Sequence, residues 1–464
     1  MNSSFILWLG LLVAACGAAP TDPVDHPTDA PPGAPPGTAA TPTDPRAGDW
    51  PGFLGPYRDG RSPEALDISV WSGPAPPILW EHPVGEGYGG PAVVEDHLYF
   101  FDRHGDQARL VNLDAATGRE IWRSEYTTDY VDAFDFSGGP RATPVVDEDR
   151  VYTFGVEGRL RCHATNDGKL LWEVDTAQEY GVVQNFFGVG ATPWVEGNLL
   201  LVPVGGSPPG SPSMNSGAVQ GNGSGVVAFD RKTGAERYRI SDELVGYASP
   251  VVATIGPRRW AFVFARGGLL AFEPQSGKID FHFPYRARKL YSVNAATPVV
   301  VGDLVFLTES YEKGGTLLKV TADGPRIVWQ DPRRGQALAS HWSTPIHHQG
   351  TLYGSHGEAS GSAELRAVDL ATGKVHWGQR GLGRTTQIYT DGHLIVLGER
   401  GLLVLVEATP DAYREVARLD LGERLGHNAW NPPALAHGRL YLRGSKALLA
   451  MGVAPPTPKD PTDE

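Results

Sequence analysis

Cysteine is almost missing from this chain: among 464 residues only Cys16 and Cys162 carry a thiol. Two thiols exclude a disulfide framework and a cysteine-based zinc site. Long apolar runs are missing as well. The most apolar segment, Phe5 to Leu12, is too short to cross a bilayer as a helix. Positive charge is in deficit, with 40 Lys and Arg against 53 Asp and Glu and a net charge of −13. No basic run or basic face stands out, which argues against a nucleic-acid partner. No Ser-His-Asp, Cys-His or H-E-x-x-H arrangement is present. The Gly- and Ser-rich stretch 205–225 lacks the G-K-[ST] ending of a phosphate loop.

What is present begins with the ends. Phe5 to Leu12 runs into Val13-Ala14-Ala15-Cys16, small residues before a cysteine, with no Lys or Arg ahead of the apolar run. That is the layout of a bacterial lipoprotein signal, so residues 1–16 are expected to be a signal ending at a lipidated Cys16. Residues 17–48 are rich in Pro, Thr, Asp, Ala and Gly, and 454–464 are similar and acidic. Neither segment can bury enough surface to offset its ordering entropy, so a disordered tether and a disordered tail are expected. By resemblance to known lipoproteins, Gly17 after the cysteine fits an outer-membrane location facing the periplasm. The remainder is too long for one ordinary core, which points to a barrel or a repeat array.

A repeat is there. NLDAATGREIW (112–122), CHATNDGKLLW (162–172), AFDRKTGAERY (228–238), AFEPQSGKIDF (271–281), KVTADGPRIVW (319–329) and AVDLATGKVHW (367–377) share a strand, a turn with glycine and a strand ending in an aromatic. The glycine supplies the positive φ of a tight turn, and the Asp or Thr before it bonds the turn backbone. Eight strand–turn–strand units, beginning at Pro91, Thr143, Thr192, Ser249, Thr297, Thr344, Ile388 and Pro432, interleave with it. Four short strands per unit predict an all-β, eight-bladed β-propeller of four-stranded antiparallel blades over 78–453.

The last unit stops without its final strand, and ILWEHPV (78–84) is an orphan strand before the first. Pairing the two closes the ring and leaves no open edge. Residues 49–77 are then an N-terminal extension expected to pack on the propeller. The aromatic slot holds Trp80, Trp122, Trp172, Tyr238, Phe281, Trp329 and Trp377, with Ala417 as the exception. These residues read as anchors between blades. Cys162 falls where other repeats place alanine and reads as a small core residue, not a nucleophile.

The A-x-D-x-x-T-G-K-x-x-W pattern, spread from about Trp80 to Met451, resembles the repeat of the quinoprotein-like (PQQ-repeat) propeller family. That family includes pyrroloquinoline-quinone dehydrogenases and the propeller lipoprotein of the outer-membrane β-barrel assembly machine. Ahead of the repeats, WPGFLGPYRDGRSPE (50–64) resembles a segment of exported proteins of this group, which usually carry Arg where this chain has Leu54.

In a propeller, the loops leading into the innermost strands crowd one mouth of the central channel. Those loops carry Tyr88, Arg141, Asn185, Phe186, Tyr247, Asn294, His341, Trp342, Arg384, Asn428 and Trp430, a candidate binding face of aromatics, amides and two arginines. The competing expectation is that these residues only satisfy loop backbone and plug the channel. Arg141 and Arg384 suit a carboxylate. The resemblance implies a protein- or ligand-binding scaffold in the cell envelope, a monomer whose partner is an envelope protein or extended peptide. The alternative it implies is an oxidoreductase that holds PQQ over calcium. That chemistry needs several carboxylate oxygens, and an adjacent cysteine pair, common in such enzymes, is missing. No catalytic or metal-binding residue is assigned. A carbohydrate or small-molecule sensor is a further alternative, with Tyr247, Trp342 and Trp430 as a flat aromatic platform. Asp129, Asp132 and Asp135 read as a solvated loop, and His347-His348 as a polar turn.

Overall fold

The computed structural model describes residues 48–453 apart from 72, 74, 184, 185, 213, 215 and 216. The signal, Cys16, nearly all of the tether, Asn185 and the acidic tail therefore lie outside the described residues. Eight four-stranded antiparallel sheets form the blades of a β-propeller. Blade 1 runs outward from Ala92–Val94 through His97–His104 and Gln107–Asp114 to Glu120–Thr127. Blade 8 contains Ala434–Ala436, Arg439–Arg443 and Ala447–Gly452, and its fourth strand is Ile78–Pro83 from the other end of the propeller. Trp80 faces Ala450 and Glu81 faces Leu449 in that closing pair. The ring closes by strand exchange, as the ends of the repeat predict.

Each slot aromatic sits on an outer strand and reaches into the next blade. Trp80, Trp122, Trp172, Trp329 and Trp377 donate their indole N–H to the carbonyls of Ala115, Thr165, Arg231, Leu370 and Thr409 at 2.8–3.2 Å. The rings of Trp80, Trp122, Trp172 and Trp329 lie on the next blade's turn glycine, while Trp377, facing a hairpin without glycine, packs on Tyr413. A Cβ on Gly118 or Gly168, both at positive φ, would come within 2.7 or 2.5 Å of the Trp80 or Trp122 ring. These turns need glycine for backbone conformation and for space at once. The Asp of the motif shapes the same turn: Asp114 Oδ1 accepts from the amides of Ala116 and Thr117 and from the Thr117 hydroxyl.

Two exceptions have physical causes. Phe281 faces blade 5, whose hairpin pairs Thr321 with Gly324 in a tighter turn, and no ring packs on that glycine. Ala417 faces blade 8, where the chain is interrupted between its third and fourth strands, so there is no turn carbonyl for an indole to meet. Cys162 is fully buried opposite Trp172, and burial pushes its thiol up to about 11. A thiol held in that state is a packing group.

The Thr-Pro and Ser-Pro pairs before the inner strands build a second inter-blade device. The amide of Gly90 donates to Thr143 Oγ1, Thr143 to Thr192, Thr192 to Ser249, Ser249 to Thr297 and Thr297 to Thr344, all at 3.0–3.1 Å. This belt of hydroxyls stitches six consecutive blades around the channel. Thr192→Val keeps the shape but strands the buried Thr143 amide, so it should cost about 1–3 kcal/mol in urea unfolding, with Thr192→Ser restoring most of it.

The segment from Trp50 to Ser62 crosses the inner strands. Trp50 exchanges two backbone bonds with Val93, Pro51 accepts from Val146, and Tyr389 bonds both Gly60 and Ser62. Farther on, the Glu64 carboxylate accepts from the amides of His437 and Gly438 in blade 8. Leu54 is buried with φ of 62°, a left-handed conformation that costs a branched residue about 1–3 kcal/mol. The stretch 205–225 joins two strands of blade 3, and Asn222 Nδ2 ties it to the Tyr180 carbonyl.

Candidate functional site

The loops between blades converge on a cavity of about 300 Å³ in the channel. Phe53 and Leu54 of the N-terminal extension line it, together with Thr143, Thr192, Ser249 and Thr344 of the hydroxyl belt. Its walls are aromatic, and their rings touch in sequence. Tyr247 meets Phe187 at 5.9 Å, Phe187 meets Phe136 at 5.7 Å and Phe136 meets Trp430 at 6.2 Å. Trp430 packs on Tyr88 at 4.7 Å and on Trp342 at 5.0 Å, and Trp342 leads through His341 to Tyr311.

Both arginines of the mouth are neutralised from within the chain. Arg141 pairs with Asp132 at 2.5 Å, and both side chains are nearly buried. Arg384 makes two bonds to Glu399 Oε2, at 3.0 and 2.6 Å. Burial opposes the Glu399 charge, but the bonds from Arg384 and Ser360 outweigh it and hold the carboxyl down to about 2. The Arg384 guanidinium lies 4.4 Å above the Trp342 ring, and Arg141 lies 5.5 Å from Tyr88. These pairs correct two sequence expectations. Asp132 does not belong to a solvated loop: it is buried, pairs with Arg141 and accepts from the Phe134 amide at 2.9 Å. Neither arginine is held in reserve for a ligand carboxylate, because each already has one.

His341 bridges two partners. Its Nε2 lies 2.7 Å from the Tyr311 hydroxyl and its Nδ1 lies 3.4 Å from Arg384 Nη1. Burial, reinforced by Arg384, holds this imidazole down to about 4, so it is neutral at pH 7.

Of the residues singled out from sequence, Tyr88, Arg141, Tyr247, His341, Trp342, Arg384 and Trp430 line the cavity. Phe186 does not: it is buried beneath the rim with Ala287, Val293 and Tyr311, and its neighbour Phe187 takes the lining place. Asn294 is also buried, and its Nδ2 donates at 2.6 Å to the Ala265 carbonyl inside blade 4. Asn428 stands behind Tyr88 as a hydrogen-bond partner. Tyr247, Trp342 and Trp430 make no flat platform, since the two indoles are tilted by 46° and Tyr247 contacts Phe187 instead. His348 stacks on Tyr389 at 4.2 Å, away from the cavity. Sequence reasoning missed Phe136, Phe187, Tyr311 and Glu399. Tyr311 and Glu399 come from turns between the second and third strands of their blades, a loop class that reaches the same mouth.

Among the described residues, no group of three or more His, Cys, Asp or Glu is placed to hold a metal ion. No helix there is long and apolar enough to cross a membrane.

Comparison with known proteins places this geometry. No curated protein matches the chain. Solved structures of similar shape include BamB from Moraxella catarrhalis, with a TM-score of 0.54, 14% identity, and coverage of 78% of this chain and 94% of that one. The quinohemoprotein alcohol dehydrogenase of Comamonas testosteroni aligns with a TM-score of 0.61 and 12% identity, over 90% of this chain and 82% of its own. The quinohemoprotein alcohol dehydrogenase ADHIIG of Pseudomonas putida HK5 gives 0.62 and 13%, over 91% and 83%. At such identities the likeness shows the fold alone. The family model described as outer membrane protein assembly factor BamB matches residues 74–207 and 106–379, together more than half of the sequence. The chain therefore belongs to that PQQ-repeat β-propeller family.

Proposed function

We propose that this protein is a binding propeller of the cell envelope, held at a membrane through Cys16, whose working surface is the aromatic mouth of its channel. The observation that carries the reading is the cup itself: aromatic walls over a cavity of about 300 Å³, with both of its arginines already paired. Such a cup suits an apolar or aromatic group presented by a partner protein or peptide, the kind of anchor that dominates interface energetics. The exposed Val131, Phe134 and Phe136 extend the apolar surface from the cup onto its rim. Family membership supports an envelope setting and protein partners.

A peptide array of envelope-protein sequences, probed with the full chain, tests the proposal. Retained peptides should share an aromatic or aliphatic residue, and Trp342→Ala with Trp430→Ala should weaken them about tenfold or more. Equal binding by the double variant would place the working surface elsewhere.

The donor set weighs against the oxidoreductase reading. Calcium beneath a quinone takes six to eight oxygens, carboxylates among them, and the mouth's Asp132 and Glu399 are bound to arginines. Calorimetric titration with pyrroloquinoline quinone plus calcium should show no heat. Micromolar binding lost on Arg141→Ala and Arg384→Ala would revive that reading.

A further inference from the structure

Building on the mouth as a binding site, we propose that the cavity accepts a compact, uncharged aromatic carbonyl compound, free or as part of a larger partner. The argument begins with hydrogen-bond polarity. The Thr143, Thr192, Ser249 and Thr344 hydroxyls line the cavity, and each oxygen already accepts a backbone amide from the neighbouring blade. Tyr247 repeats the pattern, since its hydroxyl oxygen accepts from the Phe187 amide at 2.8 Å.

Tyr311 completes it through His341. A guanidinium can only donate, so Arg384 fixes the facing His341 Nδ1 as an acceptor. The neutral ring then carries its proton on Nε2 and donates it to the Tyr311 oxygen. Tyr88 and Thr386, which also line the cavity, donate their O–H to the carbonyls of Phe136 and Asn431. In the six above, the hydroxyl oxygen already accepts a bond from the protein, and no bond donated by its O–H is formed among the described residues. A ligand that satisfies these groups brings acceptor oxygens.

Charge and size narrow the class. An anion would have to compete with Asp132 and Glu399 for their arginines, and a cation would find both of those carboxylates engaged. An anion would lose its hydration without a partner, at a cost of several kcal/mol. A cation would meet ring faces of Tyr88, Trp342 and Trp430 that the two guanidiniums already approach. The walls of Trp342, Trp430, Phe136 and Phe187 favour a planar ring system. A cavity of about 300 Å³ is at the small end for ligand sites, which suits one or two fused rings.

Three probes of matched size test this on the full chain by calorimetry: coumarin, naphthalene-2-carboxylate and naphthalene. Coumarin, neutral with two acceptor oxygens, should bind about tenfold or more tightly than the carboxylate. Tyr247→Phe and Tyr311→Phe should each weaken coumarin about three- to tenfold and leave naphthalene unchanged. The rings are retained in both variants, and a native circular dichroism spectrum with a cooperative urea transition would certify their folding. The proposal is overturned if the carboxylate binds as tightly as coumarin, if neither tyrosine variant moves the coumarin affinity, or if no probe binds. Failure here with the Trp342- and Trp430-dependent peptide capture intact would remove the ligand class and leave the binding reading standing. Loss of that capture together with tyrosine-dependent coumarin binding would do the reverse.

Discussion

Trp80→Ala should destabilise the propeller by about 3–5 kcal/mol, read as a drop in the urea unfolding midpoint. Trp80 is buried on the strand that closes the ring, packs on Tyr441 at 5.9 Å and lies over Gly118 of blade 1. Removing the indole opens a cavity at the seam where the two ends of the propeller meet. Other seams are held by continuous chain, but this one depends on a strand that pairs far from its sequence neighbours. Trp80→Phe keeps an aromatic ring in the slot while removing the indole N–H and part of its packing on Gly118. The Ala115 carbonyl also accepts from the Tyr441 hydroxyl at 3.1 Å, so it stays paired when the indole N–H is lost. Trp80→Phe should therefore cost about 1–2 kcal/mol, and Trp122→Phe, whose Thr165 carbonyl has no such second donor among the described residues, somewhat more. A Trp80→Ala midpoint within error of the parent would show that the closing strand contributes little to the seam.

Glu309→Gln should stabilise the protein at pH 8 by about 3 kcal/mol and flatten its stability profile between pH 4.5 and 7. Glu309 ends the second strand of blade 5 and is 1% exposed. Burial raises its carboxyl to about 7, against the opposing pull of the Ala287 amide, which donates to Oε2 at 2.8 Å, and of Lys313 and Arg286. The sign follows from proton counting. Between the unfolded carboxyl near pH 4.5 and the folded one near pH 7, the native state holds a proton that the unfolded state has released. Stability contributed by this group falls as pH rises through that window and is level above it, by about 1.4 kcal/mol per unit. Glutamine keeps an oxygen for the Ala287 amide and has no charge to bury. Urea midpoints of both forms at pH 5 and pH 8 decide the matter, and parallel profiles would show that the carboxyl is solvated in the native state.

The blade architecture was legible because it is written in local chemistry. A turn glycine under a neighbour's ring recurs at Gly118, Gly168, Gly234, Gly277 and Gly373, an Asp that bonds two turn amides at Asp114 and Asp230, and apolar strands throughout. The exchange of the terminal strand followed from an incomplete last unit and an orphan first strand. Ala417 stood out as an exception, but its cause did not, since the interruption in blade 8 is a property of neighbouring blades. The mouth was legible only in part. Loops have no period that tells an inward from a sheltered side chain, so Phe186 and Phe187 could not be separated by pattern. Tyr311 and Glu399 arrive by the other class of loop, and the pairs Arg384–Glu399 and His341–Tyr311 join positions far apart in sequence.

The sequence by itself determined the repeat, the strand order within each blade and the way the ring closes, because short-range turns and side-chain alternation specify them. Only the tertiary structure decided that the mouth is an aromatic cup whose two arginines are each paired with a carboxylate and whose belt hydroxyls each accept a neighbouring blade's amide. Its charge and hydrogen-bond polarity are set by partners from different loops and blades, and those meet only once the ring has formed.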